Sequence, residues 1–351
     1  MKSKPPLLHD RIVNHPVGWG EARTPPLLAT NCTLKHILRR LPLFIIVATL
    51  SLQTHANPLA FITNQLSDNI SVIDLESNRL AKTIKTGKTP AGIARCDQSQ
   101  TIIATSPDEQ SLYVIDTQTG SVSNTIKVGS GPLGISCAPG AQIAYVADWY
   151  DNAVYVVDIK KAAVRYKIPV GIAPAGLVLD SQKQRLYVAN RDSDNVSVID
   201  LSSRQVIKEV SVGDAPFGIT LSPDGKEVFV VNVRSSSVSV IDTDKLKLSA
   251  EIEVGEWPYC AVVDHSGKHL YVTNQEEDSV SIVDIAKRKE ISRIDVGETP
   301  EGIDLSPDGS KLLVVNWGEG SLSIIDTLTH KTIYKIKTGK GSRSFGQFAI
   351  P

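Results

Sequence analysis

The sequence predicts an all-β protein, a β-propeller with seven blades of four antiparallel strands each. Two observations carry this prediction: a repeat of 42 residues that runs from residue 57 onward, and four short apolar stretches with turn residues between them in each repeat. A third is composition. Aromatic residues make up only 5% of the chain and Met occurs once, which favours thin layers of Val and Ile over a thick helical core.

The repeat has two landmarks with the same spacing of 42 residues. The first is Ser-Val-Ile-Asp or a close variant, which ends at Asp74, Asp116, Asp158, Asp200, Asp242, Asp284 and Asp326. The second is a proline, found at Pro90, Pro132, Pro174, Pro216, Pro258 and Pro300, with Ser342 in the seventh place. Seven such repeats fill residues 57–351, so we expect the propeller to be the one domain of that region.

The repeat that starts at Pro216 shows the four strands. Alternation and turn residues predict strands over 217–222, 227–232, 237–242 and 249–254, with a Pro-Asp-Gly-Lys turn between the first two.

The two ends of the repeat region complement each other. Residues 60–64 match a second strand, and residues 343–350 match a first strand. We therefore expect one blade to be built from both chain ends, with its inner strand from the C-terminal side and the other three from residues 60–86. Such a blade closes the ring and pairs edges that would otherwise stay open.

Residues 1–56 differ from the repeats and predict an export signal. Arg39 and Arg40 precede an apolar run over 41–52, and a small residue, Ala56, follows shortly after it. This order describes a secretory signal peptide, and the run is shorter than the roughly 20 residues of a membrane-spanning helix. We predict cleavage after Ala56 and a periplasmic or secreted propeller over 57–351 without a transmembrane anchor. The alternative is an uncleaved N-terminal anchor.

Charge argues against a protein that binds polyanions through its bulk charge. The whole chain has 37 basic and 38 acidic residues. Because the leader is rich in basic residues, the remainder is mildly acidic.

Enzyme signatures are absent from the sequence. Neither Cys-x-x-Cys-His nor Gly-x-Ser-x-Gly occurs, and His265, His269 and His330 fall at turns away from the predicted channel mouth. We therefore expect a non-enzymatic protein without a cofactor or metal site. The alternative is a propeller enzyme, or a subunit of a periplasmic redox system similar to the amine dehydrogenases.

Polar residues that recur in every repeat are interpreted as scaffold. The aspartates that end the third strands are expected to cap turns, and Asn190, Asn232, Asn274 and Asn316 are expected to be structural as well. A ligand must then be selected by residues that differ between repeats.

Residues that break the repeat gather in the loops after the second and fourth strands. In a propeller these loops share one face, here called the top face. Its candidate ligand-binding residues are Trp149, Tyr150, Arg191, Phe217, Arg234, Trp257, Tyr259, Glu298, Glu301, Trp317 and Arg343. Their alternative role is packing between loops. Acidic residues outnumber basic ones in these loops, which favours a cation or a basic protein as ligand, although Lys88, Lys340 and Arg343 cluster near the closing blade.

The cysteines of the repeats suggest one crosslink. Cys96 and Cys137 lie on the first strands of consecutive repeats, 41 residues apart instead of 42, so they point to opposite faces of equivalent strands. Because blades stack face to face, the two thiols can meet, and a disulfide is expected in an oxidising compartment. Cys260 would then stay free.

Several motifs resemble those of a known family. Tyr271-Val-Thr-Asn274, with variants ending at Asn190 and Asn232, and the Ser-Pro-Asp-Gly turn are similar to the YVTN-repeat β-propeller family, above all to its periplasmic YncE-type proteins. This resemblance covers essentially all of 57–351. It implies an exported seven-bladed propeller and single-stranded DNA as a ligand. The pattern is weakened at Ser106 and Asp148, which replace the Asn, and at Cys260, which replaces a Gly.

Overall fold

The computed structural model describes residues 57–96, 101–138, 140 and 142–351. The predicted leader and the cleavage point at Ala56 lie outside the described residues. The described chain forms seven sheets, antiparallel apart from one short parallel pair, and strands at the channel contact one another in a ring. The predicted all-β fold, a seven-bladed β-propeller, is confirmed, and the described helical structure is a three-residue 3-10 turn, Arg191–Ser193.

Strands are numbered in chain order, and each blade is one sheet. Blade 1 contains β1 (Leu59–Asn64), β2 (Asn69–Asp74), β3 (Arg79–Lys85) and the last strand, β29 (Ala349–Ile350). Blade 2 contains β4 (Gly92–Arg95), β5 (Thr101–Ser106), β6 (Ser111–Asp116), β7 (Ser121–Lys127) and β28 (Phe345–Gly346). Blade 3 contains β8 (Pro132–Ala138), β9 (Ile143–Asp148), β10 (Ala153–Asp158) and β11 (Ala163–Pro169).

The other four blades follow the same order from the channel outward. Blade 4 contains β12 (Pro174–Asp180), β13 (Arg185–Asn190), β14 (Asn195–Asp200) and β15 (Gln205–Ser211). Blade 5 contains β16 (Pro216–Leu221), β17 (Glu227–Asn232), β18 (Ser237–Asp242) and β19 (Lys247–Glu253). Blade 6 contains β20 (Pro258–Val263), β21 (His269–Asn274), β22 (Ser279–Asp284) and β23 (Lys289–Asp295). Blade 7 contains β24 (Pro300–Leu305), β25 (Lys311–Asn316), β26 (Ser321–Asp326) and β27 (Lys331–Lys337).

Blade 5 contains the four predicted strands: the second and third have the predicted bounds, the first lies one residue earlier, and the fourth differs at both ends. The fourth strand begins at Lys247, two residues before the predicted start, because Lys247 pairs with Asp242 across a short turn. A register shift between Val240 and Ile241 then restores the pairing further along the strand. The shift is a β-bulge, which adds twist to the blade edge.

The core lies between the blades and is made by the second and third strands. The aromatic residue that opens the Tyr-Val-Thr-Asn motif is fully or almost fully buried at Tyr187, Phe229 and Tyr271. The side chains of the outer strands are mostly exposed, as in β19, where one residue of seven is buried. Burial of these rings and of the branched side chains around them supplies the main stabilisation of each blade interface.

Both chain ends build the closing blade, as predicted, but the C-terminal strand is split. Residues Ala349 and Ile350 pair with β1, whereas β28 leaves blade 1 and pairs in parallel with β4, inside the channel. Gly346 permits the crossing: its φ is 124°, and a Cβ there would lie 2.2 Å from the Ile93 carbonyl oxygen. The expected continuous inner strand over 343–350 is therefore corrected to two short pieces with a crossing between them.

Candidate functional site

The repeated aspartates at the ends of the third strands hold turns. In all seven blades the carboxylate accepts the backbone N–H three residues later, at 2.7–3.0 Å. At Asp242, hydrogen bonds from the Lys245 side chain and backbone lower the carboxyl pKa to about 2. The interpretation of these residues as scaffold is confirmed.

The repeated asparagines that end the second strands are structural as well. Each Nδ2 donates to a serine hydroxyl seven residues later at 2.9 Å, for Asn64, Asn190, Asn232, Asn274 and Asn316. In blade 3 the same place holds Asp148, whose buried carboxylate accepts the Gly131 and Asp151 N–H groups at 2.9 Å. Burial raises the pKa of Asp148 despite these hydrogen bonds.

The upper end of the central channel is occupied by the residues that follow the landmark prolines. These are Ala91, Leu133, Ala175, Phe217, Tyr259, Glu301 and, after Ser342, Arg343. The Phe217 ring lies 4.2 Å from Tyr259 and 5.0 Å from Phe345, centroid to centroid. All three rings are less than one-tenth exposed. We call Phe217, Tyr259 and Phe345 the throat plug, because they close the channel below the top face.

A buried ion pair borders the throat plug. Arg343 Nε lies 3.0 Å from Glu301 Oε2, although the two are not aligned as a hydrogen bond. Arg343 also donates to the Tyr259 hydroxyl, and Gln275 Nε2 donates to Glu301 Oε1 at 3.2 Å. Burial raises the pKa of Glu301, and the Arg343 charge opposes that shift.

Four predicted ligand-binding residues therefore lie inside the throat rather than on the surface. Phe217, Tyr259 and Glu301 are buried, and the Arg343 side chain is only 18% exposed. For these four residues the structure shows the packing that the sequence analysis gave as the alternative role, and their part in ligand binding stays a prediction.

Trp149 combines packing with a surface contact. Its half-buried ring lies 6.3 Å from Phe217, and the Arg191 guanidinium lies 5.6 Å from the Trp149 ring centroid. Arg191 also pairs with Asp192 at 2.7 Å. The adjacent Tyr150 is 69% exposed. Arg191 thus already contacts an aromatic ring and a carboxylate of the protein itself.

Trp257 presents its indole to solvent. It is 49% exposed and has a left-handed backbone with φ of 50°. Its carbonyl accepts the Gln275 N–H at 3.0 Å, and Ala173 and Ala215 make the equivalent bond with the same backbone shape. The loop conformation therefore does not need an indole, and a bulky residue with positive φ is uncommon.

Trp317 and Glu298 belong to two loops that are tied together. The Trp317 N–H donates to the Thr299 carbonyl at 2.9 Å, and the Gly318 N–H donates to the Glu298 carbonyl at 3.0 Å. The Trp317 ring is half-buried, whereas the Glu298 side chain is exposed. These bonds fix the position of Glu298 relative to blade 7.

Acidic side chains dominate the exposed part of the top face in blades 6 and 7. Glu256, Glu276 and Glu298 are exposed and form no ion pair within the described residues. We call these three carboxylates together with Trp257 the acidic sector. Among predicted basic residues, Arg234 is exposed on blade 5, and Lys88 and Lys340 are exposed near the closing blade.

The cysteines lie on the channel strands. Cys96 and Cys137 form a disulfide that joins blades 2 and 3, with Cα atoms 4.8 Å apart. Cys260 is buried on β20 with a free thiol, and burial raises its pKa.

Comparison with known proteins decides the family. The profile of the YNCE-like beta-propeller family matches residues 27–349. The chain belongs to this family. No curated protein matches the sequence.

Solved structures share the fold of this YNCE-like propeller. Kuenenia stuttgartiensis hydrazine synthase is 21% identical, with a TM-score of 0.68 over 76% of this chain and 92% of that chain. A functionally unknown protein from Desulfotomaculum acetoxidans is 17% identical, with a TM-score of 0.72 over 82% and 99% of the two chains. A Lactobacillus plantarum protein has the same identity and TM-score over 84% and 99%. At these identities the likeness concerns the fold alone.

The described residues lack two further features. No helix among them has the length and apolar character of a membrane span. Within the same residues, no three His, Cys, Asp or Glu side chains come together as metal ligands would.

The sequence interpretation missed two residues of the YNCE-like propeller that shape the channel. Phe345 completes the throat plug from the C-terminal segment, and Asp304 accepts the Phe348 and Ala349 N–H groups at 2.8 and 2.9 Å. A signal for Asp304 was present, since the equivalent positions in the repeat hold no other charged residue. The role of Phe345 depends on the crossing at Gly346, which no periodic pattern predicts.

Proposed function

We propose that this YNCE-like propeller is an exported, non-enzymatic binding protein that holds a lysine- or arginine-rich segment of a partner protein on its top face. The observation that carries the proposal is the acidic sector: a half-exposed indole, Trp257, in top loops that also carry the unpaired carboxylates Glu256, Glu276 and Glu298. Export rests on the signal peptide that residues 1–56 predict.

The chemistry of the acidic sector suits cationic side chains. An ammonium or guanidinium group over an indole face gains about 0.5–2 kcal/mol, depending on how far it is desolvated. Carboxylates of one sign steer an oppositely charged partner to the surface and reject one of like charge. Because Trp257 is not required by its loop, its exposed ring is better explained by binding than by packing.

Single-stranded DNA, the ligand implied by the family resemblance, fits this face less well. Phosphate binding needs Lys and Arg, with aromatic stacking added to a positive groove. Arg343 is paired with Glu301 and Arg191 with Asp192. Nucleic acid is therefore the competing outcome of the experiment below. A propeller enzyme or redox subunit remains the alternative, and cofactor absorbance in purified protein would favour it.

Tryptophan fluorescence can separate these ligands. The mature protein is titrated at low salt with a lysine- and arginine-rich peptide, a glutamate-rich peptide of equal length and a single-stranded oligonucleotide. We expect the basic peptide alone to change the emission, and the change to weaken at high salt because exposed charges are screened. A response to the oligonucleotide but not to the basic peptide would contradict the proposal.

Matched variants locate the binding surface. Glu256→Gln combined with Glu298→Gln should weaken basic-peptide binding at least fivefold. Glu209→Gln combined with Glu253→Gln makes the same change in net charge on exposed outer strands and should leave binding within twofold. Equal loss in both double variants would mean that bulk charge, and not the acidic sector, attracts the peptide.

A further inference from the structure

The lower half of the central channel is a cavity separated from the top face by the throat plug. It has a volume of about 230 Å³, far above the roughly 10–15 Å³ that one water needs. A second space of about 470 Å³ continues it toward exposed His265 at the bottom turns. Thr220, Val262, Asp304 and Gln347 line both spaces, so the two adjoin, and we call them together the lumen.

Two charged side chains line the lumen: Asp304 borders both spaces, and Arg95 borders the second one. Seven strands (β4, β8, β12, β16, β20, β24 and β28) contribute the residue four places after the landmark proline or its equivalent: Ala94, Ser136, Val178, Thr220, Val262, Asp304 and Gly346. Val178 and Val262 offer apolar surface, and Ser136 and Thr220 offer hydroxyl groups. The lumen thus combines an apolar wall with a few polar groups, as small-molecule sites do.

Asp304 has no cationic partner in contact. Its carboxylate accepts the Phe348, Ala349 and Leu305 N–H groups at 2.8–2.9 Å. Within the described chain it forms no ion pair, and Arg95 acts on it through charge without contact. Burial raises its pKa to about 6. Asp304 is half-buried, and a carboxylate largely removed from water without an ion pair is costly, so a cation bound against it in the lumen would be stabilised.

We propose that the lumen binds a small organic ammonium ion, whose charged group contacts Asp304 and whose hydrocarbon part contacts Val178 and Val262. The Thr220 and Ser136 hydroxyls supply acceptors for the remaining ammonium hydrogens, since a hydroxyl carries two lone pairs. A metal ion fits this site less well, because one carboxylate already shared by backbone N–H groups leaves few ligands for it.

Isothermal titration calorimetry with three probes of similar size tests the proposal. n-Butylammonium carries the charge, n-butanol lacks it and n-butyrate reverses it. We expect n-butylammonium to bind the mature protein at least tenfold more tightly than either other probe, and Asp304→Asn to remove that preference. Equal binding of n-butanol, or unchanged n-butylammonium binding by Asp304→Asn, would overturn it.

A second variant keeps the test valid if Asp304→Asn folds poorly. Val178→Phe fills the lumen and leaves the hydrogen bonds of Asp304 in place, so it should abolish n-butylammonium binding. Val164→Phe, on the exposed outer strand β11, is the matched control and should bind normally. If Val178→Phe binds as tightly as Val164→Phe, the lumen is not the site. Trp257→Ala should bind n-butylammonium normally, which separates this site from the top face.

Discussion

The guanidinium of Arg343 lies against the carboxylate of Glu301, with Nε and Oε2 3.0 Å apart, and this pair joins the C-terminal segment to the inner strand of blade 7. Both side chains are removed from most solvent contact, at 18% and 9% exposure. The pair therefore stabilises ring closure at a place where no main-chain ladder of blade 7 reaches the C-terminal segment.

Removing one partner of this pair should strongly destabilise the propeller. Glu301→Gln leaves Arg343 buried without a counter-charge, and a loss of about 3–5 kcal/mol in the free energy of unfolding is expected. Urea denaturation followed by circular dichroism measures it. Lys335→Gln, which breaks the exposed pair with Glu319, is the control and should cost at most about 1 kcal/mol. Similar costs for both variants would contradict the burial argument.

Asp304 should make stability fall as pH rises through the weakly acidic range. Its pKa is about 6 in the folded protein and 3.8 in the reference state, so the folded state binds the proton more tightly. Ionisation of Asp304 therefore destabilises the folded protein. This destabilisation is absent below the pKa of the unfolded state and complete above the pKa of the folded state, where it amounts to about 2–4 kcal/mol. Denaturation at about pH 4.5 and about pH 7.5 should show this trend in the parent and a flatter one in Asp304→Asn. An identical pH dependence in both proteins would argue against it.

The disulfide between Cys96 and Cys137 should contribute to stability through the unfolded chain. It closes a loop of 41 residues, for which chain entropy predicts about 3–4 kcal/mol. The double variant Cys96→Ser, Cys137→Ser should therefore unfold at a lower denaturant concentration, and the parent in reductant should behave likewise. Cys260 takes no part in the disulfide, so Cys260→Ser is the control. Its stability should fall in reductant as much as that of the parent. Full stability of the reduced parent would refute the contribution.

Trp257 should be dispensable for folding but required for binding. Trp257→Gly removes a bulky side chain from a left-handed backbone, which glycine adopts without strain, so stability should be unchanged or rise by up to about 1 kcal/mol. Thermal unfolding measures this, and the peptide titration described above should lose its signal change. Trp149→Gly is the contrast: it removes a ring that packs on Phe217 and should lower stability. A large stability loss in Trp257→Gly would indicate a packing role instead.

Most of the fold could be predicted because the same pattern of strands and turns recurs in seven repeats. Spacing located every blade, and the recurring Asp and Asn residues were recognisable as scaffold since a residue present in each blade cannot select one ligand. The candidate site was predicted only in part. Loop position placed Trp149, Trp257 and Trp317 on the top face, but burial depends on neighbours that are far apart in sequence. Phe217 and Tyr259 therefore looked like surface aromatics although they fill the throat.

The sequence by itself determined the number of blades, the strand order, the closure by both chain ends and the acidic character of the top loops, because these follow from period, turn residues and charge. Only the tertiary structure decided that β28 crosses to blade 2 and that the throat is closed. It also decided that Arg343 pairs with Glu301 and that Asp304 accepts hydrogen bonds from the C-terminal segment. The reason is physical: a ring brings first and last repeats together at its axis, where packing is set by which side chains meet across the channel. No local pattern in the chain encodes that meeting.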